Sequence, residues 1–268
     1  MPAVSNPGSA LGEAIGKLLE EELNRVIQPV AERWNCLYIT AGFANERSKL
    51  ILTDDYGNDY NVDAVITNRR LQPLVLIESK YIRYKKHNRD KASWICTAHA
   101  KLRERYATLR CSIAILMGSW SKPSKQLLSS FDVRLVEITF EDICAELRQH
   151  GIEFTWHEKD REKAQLAWER FNLLFPEQRR QIAKSLIGRI RTTLEQTVEA
   201  ALDESTPRML RSVTLLLHTN RGEKIIREFD TLKAALEYMQ SFDEQTELDT
   251  TAAPSILRET LSAHRRRR

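Results

Sequence analysis

The sequence predicts an α/β protein with a mixed central β-sheet flanked by helices and a mainly helical C-terminal part. Helix and strand patterns alternate along the first 150 residues. The nearly continuous apolar run at residues 112–117 is typical of a strand that is covered on both faces. After Gly151, long segments with helical spacing of apolar residues predominate. A length of 268 residues allows one large domain or two smaller ones.

Periodicity and capping residues place the elements of the first half. Ser9 is the expected N-cap of the opening helix at 9–33, and residues 34–41 form an apolar segment that fits either a helix or a strand. We expect the first three strands to form a meander. The elements are, in order, a helix at 9–33, strands at 49–53, 60–67 and 74–81, a helix at 90–106, a strand at 112–117, a helix at 123–130, a strand at 133–138 and a helix at 140–149.

The second half has a different composition, which predicts three regions. Residues 1–150 form the core, residues 151–241 an accessory region for dimerisation or target recognition, and residues 242–268 a flexible tail that ends in four arginines. The elements expected in the accessory region are a further strand at 152–156, helices at 158–174 and 176–203, a hairpin at 212–229 and a helix at 231–240.

Composition limits the class of protein. Hydrophobic residues make up 42% of the chain and charged residues 29%, which is typical of a soluble globular protein. The longest apolar stretch is too short to span a bilayer, and the N-terminus lacks the pattern of a signal peptide. The four cysteines are scattered, which favours reduced thiols over zinc or disulfides. We therefore expect a cytoplasmic protein with no membrane partner.

Positive charge is concentrated in one segment. The net charge of the chain is only +4, but residues 80–110 contain ten basic and two acidic residues, a net charge of +8. A local basic field of this kind favours a polyanionic partner such as nucleic acid.

Two carboxylates and a lysine are predicted to converge beside this segment. If Thr67 pairs with Leu74 across an antiparallel hairpin, Asp63 falls opposite Glu78, and Lys80 lies on the same face as Glu78. Like charges opposite each other destabilise a sheet, whereas a divalent cation between them would reverse the effect. Oxygen ligands of this kind suit Mg²⁺. The other face is expected to be apolar and to pack on the core; it carries Val62, Ala64, Ile66, Val75, Ile77 and Ser79.

The pattern of Asp63, fourteen intervening residues and then Glu78-Ser79-Lys80 resembles the PD-(D/E)xK nuclease superfamily. Members have a restriction-endonuclease-like core: a helix, a meander with the aspartate on its second strand and the ExK on its third, then a helix and a strand. The predicted element order is similar. Residues 16–20 resemble the glycine-and-glutamate helix of many members, which makes Glu20, and after it Glu13, the candidate to complete the metal site. Val62 replaces the family's proline.

The resemblance implies a Mg²⁺-dependent DNA endonuclease that hydrolyses phosphodiester bonds, with a type II restriction enzyme as the first candidate. Asp63, Glu78, Glu20 and the backbone carbonyl of Ser79 would hold Mg²⁺, for which Mn²⁺ could substitute. Lys80 would hold or deprotonate the attacking water, or stabilise the developing charge. The implied partners are DNA and a second copy of the chain in a homodimer. No small-molecule cofactor is expected.

Other readings remain open. A DNA repair, recombination or phage nuclease of the same fold is the enzyme alternative, and a non-catalytic nucleic-acid-binding protein that retains the fold is the other. His87 is interpreted as a loop residue, and His99, Trp94 and Trp120 as packing residues. The residues expected to contact nucleic acid, by their position after the carboxylates, are Arg83, Lys85, Lys86, Arg89 and Lys91.

Overall fold

The computed structural model of the chain describes residues 6–41, 49–84, 88–157 and 160–244. The chain divides into two units, Met1–Asp203 and Glu204–Arg268. The elements of the first unit are α1 (Pro7–Arg33), β1 (Leu37–Thr40), β2 (Ile51–Thr53), β3 (Asp59–Asn61), β4 (Ala64–Thr67), β5 (Pro73–Ile82), α2 (Asn88–Arg105), β6 (Cys111–Gly118), α3 (Lys122–Ser130), β7 (Val133–Thr139), α4 (Phe140–Gln149), α5 (Arg161–Leu173) and α6 (Pro176–Leu202). The second unit contains β8 (Val213–His218), β9 (Lys224–Phe229) and α7 (Leu232–Gln240).

A mixed five-stranded sheet forms the centre of the first unit. Its strand order is β1-β4-β5-β6-β7. The pairs β1–β4 and β4–β5 are antiparallel, whereas β5–β6 and β6–β7 are parallel. Every residue of β6 is buried, as expected for a strand covered on both faces. The predicted α/β class with a mixed sheet between helices is confirmed.

Helix α1 packs closely on one face of this sheet because it carries glycines where it meets Tyr81. A Cβ atom at Gly12 would lie 3.2 Å from Tyr81 Cε1, and one at Gly16 would lie 3.5 Å from Tyr81 Cβ. The two glycines are four residues apart and therefore share one face of the helix. Apolar residues of α1, α4 and α6 complete the core on this side, while α2 and α3 cover the other side.

The strands at the start of the chain differ from the prediction. The apolar segment of uncertain type at 34–41 contains β1, which is the edge strand beside β4. The strand predicted at 49–53 corresponds to β2, but it pairs with β3 in a separate two-stranded sheet. The strand predicted at 60–67 is interrupted at residues 62–63, between β3 and β4. The meander of the main sheet is therefore β1–β4–β5.

The division between units falls after residue 203 rather than at 150. Helices α5 and α6 both pack against α1, which places residues 161–202 with the main sheet. No strand forms at residues 152–156; Ile152 and Phe154 are instead buried in the main core. Most of the tail predicted at 242–268 lies outside the described residues. Within the part of the chain that is described, no helix has the length and apolar character needed to cross a bilayer.

Candidate active site

The predicted register between the two central strands is confirmed over three pairs. A bulge between Ile66 and Thr67 then shifts the pairing, so Thr67 lies opposite Pro73 and not opposite Leu74 as expected. At the other end of β4, extending the same register by one residue places Asp63, which immediately precedes the strand, next to Glu78 on β5. The three pairs are Ala64–Ile77, Val65–Leu76 and Ile66–Val75.

The three charged side chains selected from the sequence converge. Lys80 Nζ lies 2.7 Å from Asp63 Oδ2 and 2.6 Å from Glu78 Oε2. The same Asp63 oxygen accepts a hydrogen bond of 2.8 Å from the backbone N–H of Ser79. We call Asp63, Glu78 and Lys80 the acid–lysine cluster.

The break before β4 gives Asp63 its position. Strand β3 leaves the main sheet to pair with β2, and the N–H of Val62 donates to the carbonyl of Leu50. Val62 therefore packs with Leu76 and Leu102, on the side of the sheet covered by α2. It does not share the apolar face of Ala64 and Ile66, as the prediction of one continuous strand required. Released from regular alternation, the Asp63 side chain reaches both Ser79 and Lys80.

Glu78 is fully buried, and this burial is the most unusual property of the cluster. Neither carboxylate oxygen has a well-directed hydrogen-bond partner among the residues that the structure describes. His99 of α2 lies close, with Nε2 3.8 Å from Glu78 Oε1, and its ring nitrogens are also without hydrogen bonds there. His99 does face the packing side of its helix, but it packs against a carboxylate. Its place on the buried face of α2 was the only sequence signal for this.

The environment shifts the pKa values of all three charged groups. Burial and the negative charge of Glu78 raise the pKa of Asp63 to about 6, against the opposing effect of Lys80. Burial also raises the pKa of Glu78, but interactions with His99, Lys80 and Asp63 outweigh it and lower that pKa overall. For Lys80, burial favours the neutral amine, but the two carboxylates prevail and raise its pKa. Asp63 is therefore the group of the cluster that exchanges a proton nearest to neutral pH.

Helix α1 brings the predicted Glu20 to the same place. A small cavity is lined by Glu20, Asn24, Tyr38, Asp63 and Ser79, together with apolar side chains. The hydroxyl of Tyr38 donates to Asn24 Oδ1 at 2.6 Å. Burial and the nearby charges of Glu20 and Asp63 raise the pKa of Tyr38. The second choice, Glu13, does not line this cavity.

No group of three or more His, Cys, Asp or Glu side chains is arranged to hold a metal ion by itself, within the described ranges. What the site offers is a pair of carboxylates, Asp63 and Glu78, with Glu20 on the wall of the adjoining cavity. A cation held by two carboxylates must complete its shell with water, a backbone carbonyl or a ligand oxygen, which is the usual situation of Mg²⁺ in proteins.

The residues predicted to contact nucleic acid are not equivalent. Arg83 is buried, donates from Nη2 to the carbonyl of Phe154 at 3.0 Å, and lies 3.6 Å from the ring centroid of Trp156. It is covered by the segment after α4 and is not available to a phosphate, so the prediction is wrong for Arg83. Arg89 and Lys91 are exposed on the first turn of α2. Lys85, Lys86 and His87 lie outside the described residues.

One aromatic residue was assigned the wrong role. The Trp94 side chain of α2 is 40% exposed, and Lys80 Nζ lies 5.9 Å from its ring centroid. It therefore borders the acid–lysine cluster and is not a core residue. Trp120 is buried as expected, and its Nε1 donates to the backbone carbonyl of Lys80 at 3.4 Å.

Comparison with known proteins does not assign a family. No family model and no curated protein matches the chain. Among solved structures, the chain is similar to the crystal structure of a protein of unknown function, AF1548, at 12% sequence identity and a TM-score of 0.32. The match covers 70% of this chain and 98% of that one. Similarity at this level carries no argument about fold or function.

Proposed function

We propose that this protein is a divalent-metal-dependent nuclease with a restriction-endonuclease-like core, which hydrolyses phosphodiester bonds in DNA. One observation carries the proposal. Two carboxylates, one of them fully buried, share a single lysine whose Nζ lies 2.7 Å from Asp63 Oδ2 and 2.6 Å from Glu78 Oε2.

The positions of these residues in the fold support the resemblance noted from the sequence. Asp63 precedes the middle strand of the antiparallel meander β1–β4–β5, and Glu78 and Lys80 lie on its third strand. The helix before the meander supplies Glu20, and the strand after α2 runs parallel to β5. Apart from the inserted pair β2–β3, this order of elements supports the PD-(D/E)xK resemblance.

The charges fit a divalent cation. With both carboxylates ionised, Lys80 neutralises only one of two negative charges, and the oxygens of Glu78 have no directed hydrogen bond among the described residues. Asp63 and Glu78 would hold the metal, with Glu20 and the carbonyl of Ser79 as further candidates. When bound, a divalent ion lowers the pKa of a coordinated water and neutralises phosphate charge.

The chain's own residues supply the remaining chemistry. The Lys80 ammonium can hold a water molecule by hydrogen bonding or stabilise the negative charge that develops on phosphate oxygens. Burial and Glu78 raise the pKa of Asp63 to about 6, and Asp63 must lose its proton to hold a metal, so metal binding is expected to weaken below that pH. The backbone N–H of Ser79 fixes the orientation of Asp63 through its hydrogen bond of 2.8 Å.

A specific observation also favours the alternative, a non-catalytic nucleic-acid-binding protein. Lys80 already pairs with both carboxylates, so the cluster satisfies part of its own charge without a metal. In that case the cluster is a structural ion pair, and its neutral variants would retain every activity of the protein.

The test is incubation of supercoiled plasmid, linear duplex and single-stranded circular DNA with the full chain, in Mg²⁺ and then in EDTA. We expect cleavage in Mg²⁺ only, and its loss in Glu78→Gln. Glu137→Gln is the matched control, because Glu137 also pairs with a lysine, Lys125, and lies on β7, two strands away from Lys80. Intact DNA in every condition, or equal cleavage by Glu78→Gln, would refute the proposal.

The pattern of products distinguishes the kinds of nuclease. Discrete fragments from duplex DNA favour a type II restriction enzyme that acts as a homodimer, since cutting both strands of a duplex calls for two sites related by a two-fold axis. Preference for single-stranded or branched DNA favours a repair, recombination or phage nuclease.

A further inference from the structure

An exposed face of α2 extends away from the acid–lysine cluster. Trp94 and Lys101 are seven residues apart, so they lie on the same side of the helix, separated by about 10 Å along its axis. Trp94 borders Lys80, and Lys101 lies two turns further on. The face therefore links the cluster to the C-terminal end of α2.

Aromatic rings and cations alternate along this face. Lys80 Nζ lies 5.9 Å from the Trp94 ring centroid, and Lys101 Nζ lies 5.4 Å from the centroid of Tyr56. Both rings are accessible, since Trp94 is 40% and Tyr56 79% exposed. Two exposed rings that each lie close to a lysine ammonium give this face two cation–π pairs.

The loop that carries Tyr56 is built to hold one conformation. The buried carboxylate of Asp54 accepts hydrogen bonds from the backbone N–H groups of Tyr56 and Asn58. It also accepts from the Asn58 side chain and the Tyr60 hydroxyl. Burial raises the pKa of Asp54, but these hydrogen bonds outweigh it and lower the pKa to about 2, so the carboxylate stays ionised.

The same loop is attached to the end of α2. Arg105 Nη1 donates to the backbone carbonyl of Asp54 at 2.5 Å. The Tyr56 ring is thereby placed next to Lys101, where most of its surface stays exposed. Two acids lie beside these cations, since Glu104 pairs with Lys101 at 2.6 Å and Asp55 lies 4.0 Å from Arg105 Nε. Both pairs are exposed and therefore weak enough for a phosphate to displace the carboxylate.

We infer that this face is a binding track for single-stranded nucleic acid, whose bases stack on Trp94 and Tyr56 while Lys101 and the basic first turn of α2 contact the phosphates. Single-strand binding proteins combine aromatic platforms with cations in this way, since every base has a π-face. Separated rings with cations between them suit stacked bases better than the continuous apolar stripe that a partner helix would require. The track starts at the acid–lysine cluster. This inference therefore rests on the proposed function only in that a strand bound on the track would be cleaved at the cluster.

Equilibrium binding of a fluorescent oligothymidylate, with a duplex hairpin as competitor, tests the track. The measurement uses fluorescence anisotropy in EDTA, where a metal-dependent enzyme does not cut. We expect the single strand to bind more tightly than the duplex. Trp94→Ala and Tyr56→Ala are each expected to weaken single-strand binding by roughly 5- to 150-fold, the effect of losing one base stack.

Two further variants separate stacking from misfolding. Trp94→Phe keeps an aromatic ring and is expected to restore most of the affinity. Trp34→Ala removes a tryptophan of similar exposure, 38%, at the end of α1, and is expected to bind like the wild type. Circular dichroism checks that each variant is folded. Unchanged affinity in folded Trp94→Ala and Tyr56→Ala, or duplex binding as tight as single-strand binding, would overturn the inference.

The two proposals fail separately. Ring-dependent binding of the single strand without Mg²⁺-dependent cleavage would keep the track and remove the nuclease. Cleavage that is indifferent to both ring substitutions and to strandedness would keep the nuclease and remove the track.

Discussion

Two lysine–carboxylate groupings lie on the main sheet. They differ in how completely the lysine neutralises the charge of the carboxylates. Lys125 of α3 lies 3.0 Å and 2.9 Å from the two carboxylate oxygens of Glu137 on β7. Lys80 divides one ammonium between two carboxylates, and one of them, Glu78, is fully buried. The side chains of Lys125 and Glu137 are 32% and 29% exposed, so water completes their solvation.

The difference concerns surplus charge. The Lys125–Glu137 pair is neutral, partly hydrated and contributes little to stability in either direction. With both carboxylates ionised, the acid–lysine cluster keeps one uncompensated negative charge beside the fully buried Glu78, which is unfavourable unless another cation compensates it. Strain of this kind is expected at functional sites, so the Lys125–Glu137 pair is the natural control for each test of the cluster.

The largest expected difference between the acid–lysine cluster and the Lys125–Glu137 pair is in DNA cleavage. Lys80→Ala is expected to reduce Mg²⁺-dependent DNA cleavage by 10²- to 10⁴-fold, on the order of the loss of a group that stabilises charge or transfers a proton. Lys125→Ala is expected to cleave normally. Initial rates on plasmid DNA measure both, at a temperature where circular dichroism shows each variant to be folded.

A conservative variant strengthens this test. Lys80→Arg keeps the positive charge but replaces a compact ammonium by a planar guanidinium, which is not equivalent at a confined site. We expect it to remain stable and to lose cleavage while its DNA affinity is nearly unchanged. Full activity of Lys80→Ala would remove the lysine from the mechanism.

The second difference is in stability. Lys80→Ala leaves the buried Glu78 without its cation and is expected to destabilise the fold by about 3 kcal/mol, at the lower end for breaking a buried pair because Lys80 is 22% exposed. Lys125→Ala is expected to cost at most about 1 kcal/mol. Urea unfolding of both variants measures the gap. Equal losses would mean that the buried carboxylate is compensated by some other group.

The third difference appears on changing pH. The pKa of Asp63 is raised in the folded state to about 6, so the stability linked to its proton is present below the unfolded value and is lost as pH rises through 6. Asp63→Asn cannot ionise and escapes this loss. As the pH rises from 4 to 7, the free energy of unfolding of Asp63→Asn should increase by about 2 kcal/mol relative to that of the wild type. This is less than the full linkage value because the Asp63 side chain is 27% exposed.

Glu137→Gln is the control for that measurement, because it removes a carboxylate that pairs with Lys125 outside the acid–lysine cluster. The free energy of unfolding is followed by urea titration at several pH values. A wild-type protein whose stability does not decline relative to Asp63→Asn between pH 4 and pH 7 would contradict the raised pKa.

Much of this cluster could be predicted because a sheet transmits register over distance. The register of the hairpin between β4 and β5 sufficed to bring Asp63 beside Glu78, although regular alternation breaks just before β4. The bulge was missed because it depends on a side chain in the loop. Asn68 Oδ1 accepts hydrogen bonds from the N–H groups of Arg70 and Gln72, Leu71 adopts a φ of 59°, and the Asn68 N–H bonds to the carbonyl of Gln72. These contacts shift the β4–β5 pair nearest the loop by one residue, so that Thr67 pairs with Pro73.

The features that sequence reasoning missed depend on contacts distant in the chain. Arg83 resembled its basic neighbours, yet a carbonyl and an aromatic ring 71 and 73 residues further on bury it. The role of Trp94 depends on the loop of Tyr56 and on Lys80, neither of which its own helix specifies. The burial of His99 could be predicted from α2, but its contact with Glu78 required the relative position of helix and sheet. The spacing of apolar residues predicts which face of a helix is buried, but it does not predict which residues that face contacts.

The smallest difference is in the response to metal. If the surplus charge of the cluster attracts a divalent cation, Mg²⁺ binds the folded protein and not the unfolded chain, and it stabilises the fold by about 1.4 kcal/mol at ten times its Kd. Glu78→Gln lacks a ligand charge and should lose this stabilisation, whereas Glu137→Gln should keep it. Thermal melts in Mg²⁺ and in EDTA, with Na⁺ added to equal ionic strength, measure the shift without any reaction. A wild-type melting temperature that Mg²⁺ does not change, or an equal shift in all three proteins, would mean that the lysine alone balances the cluster.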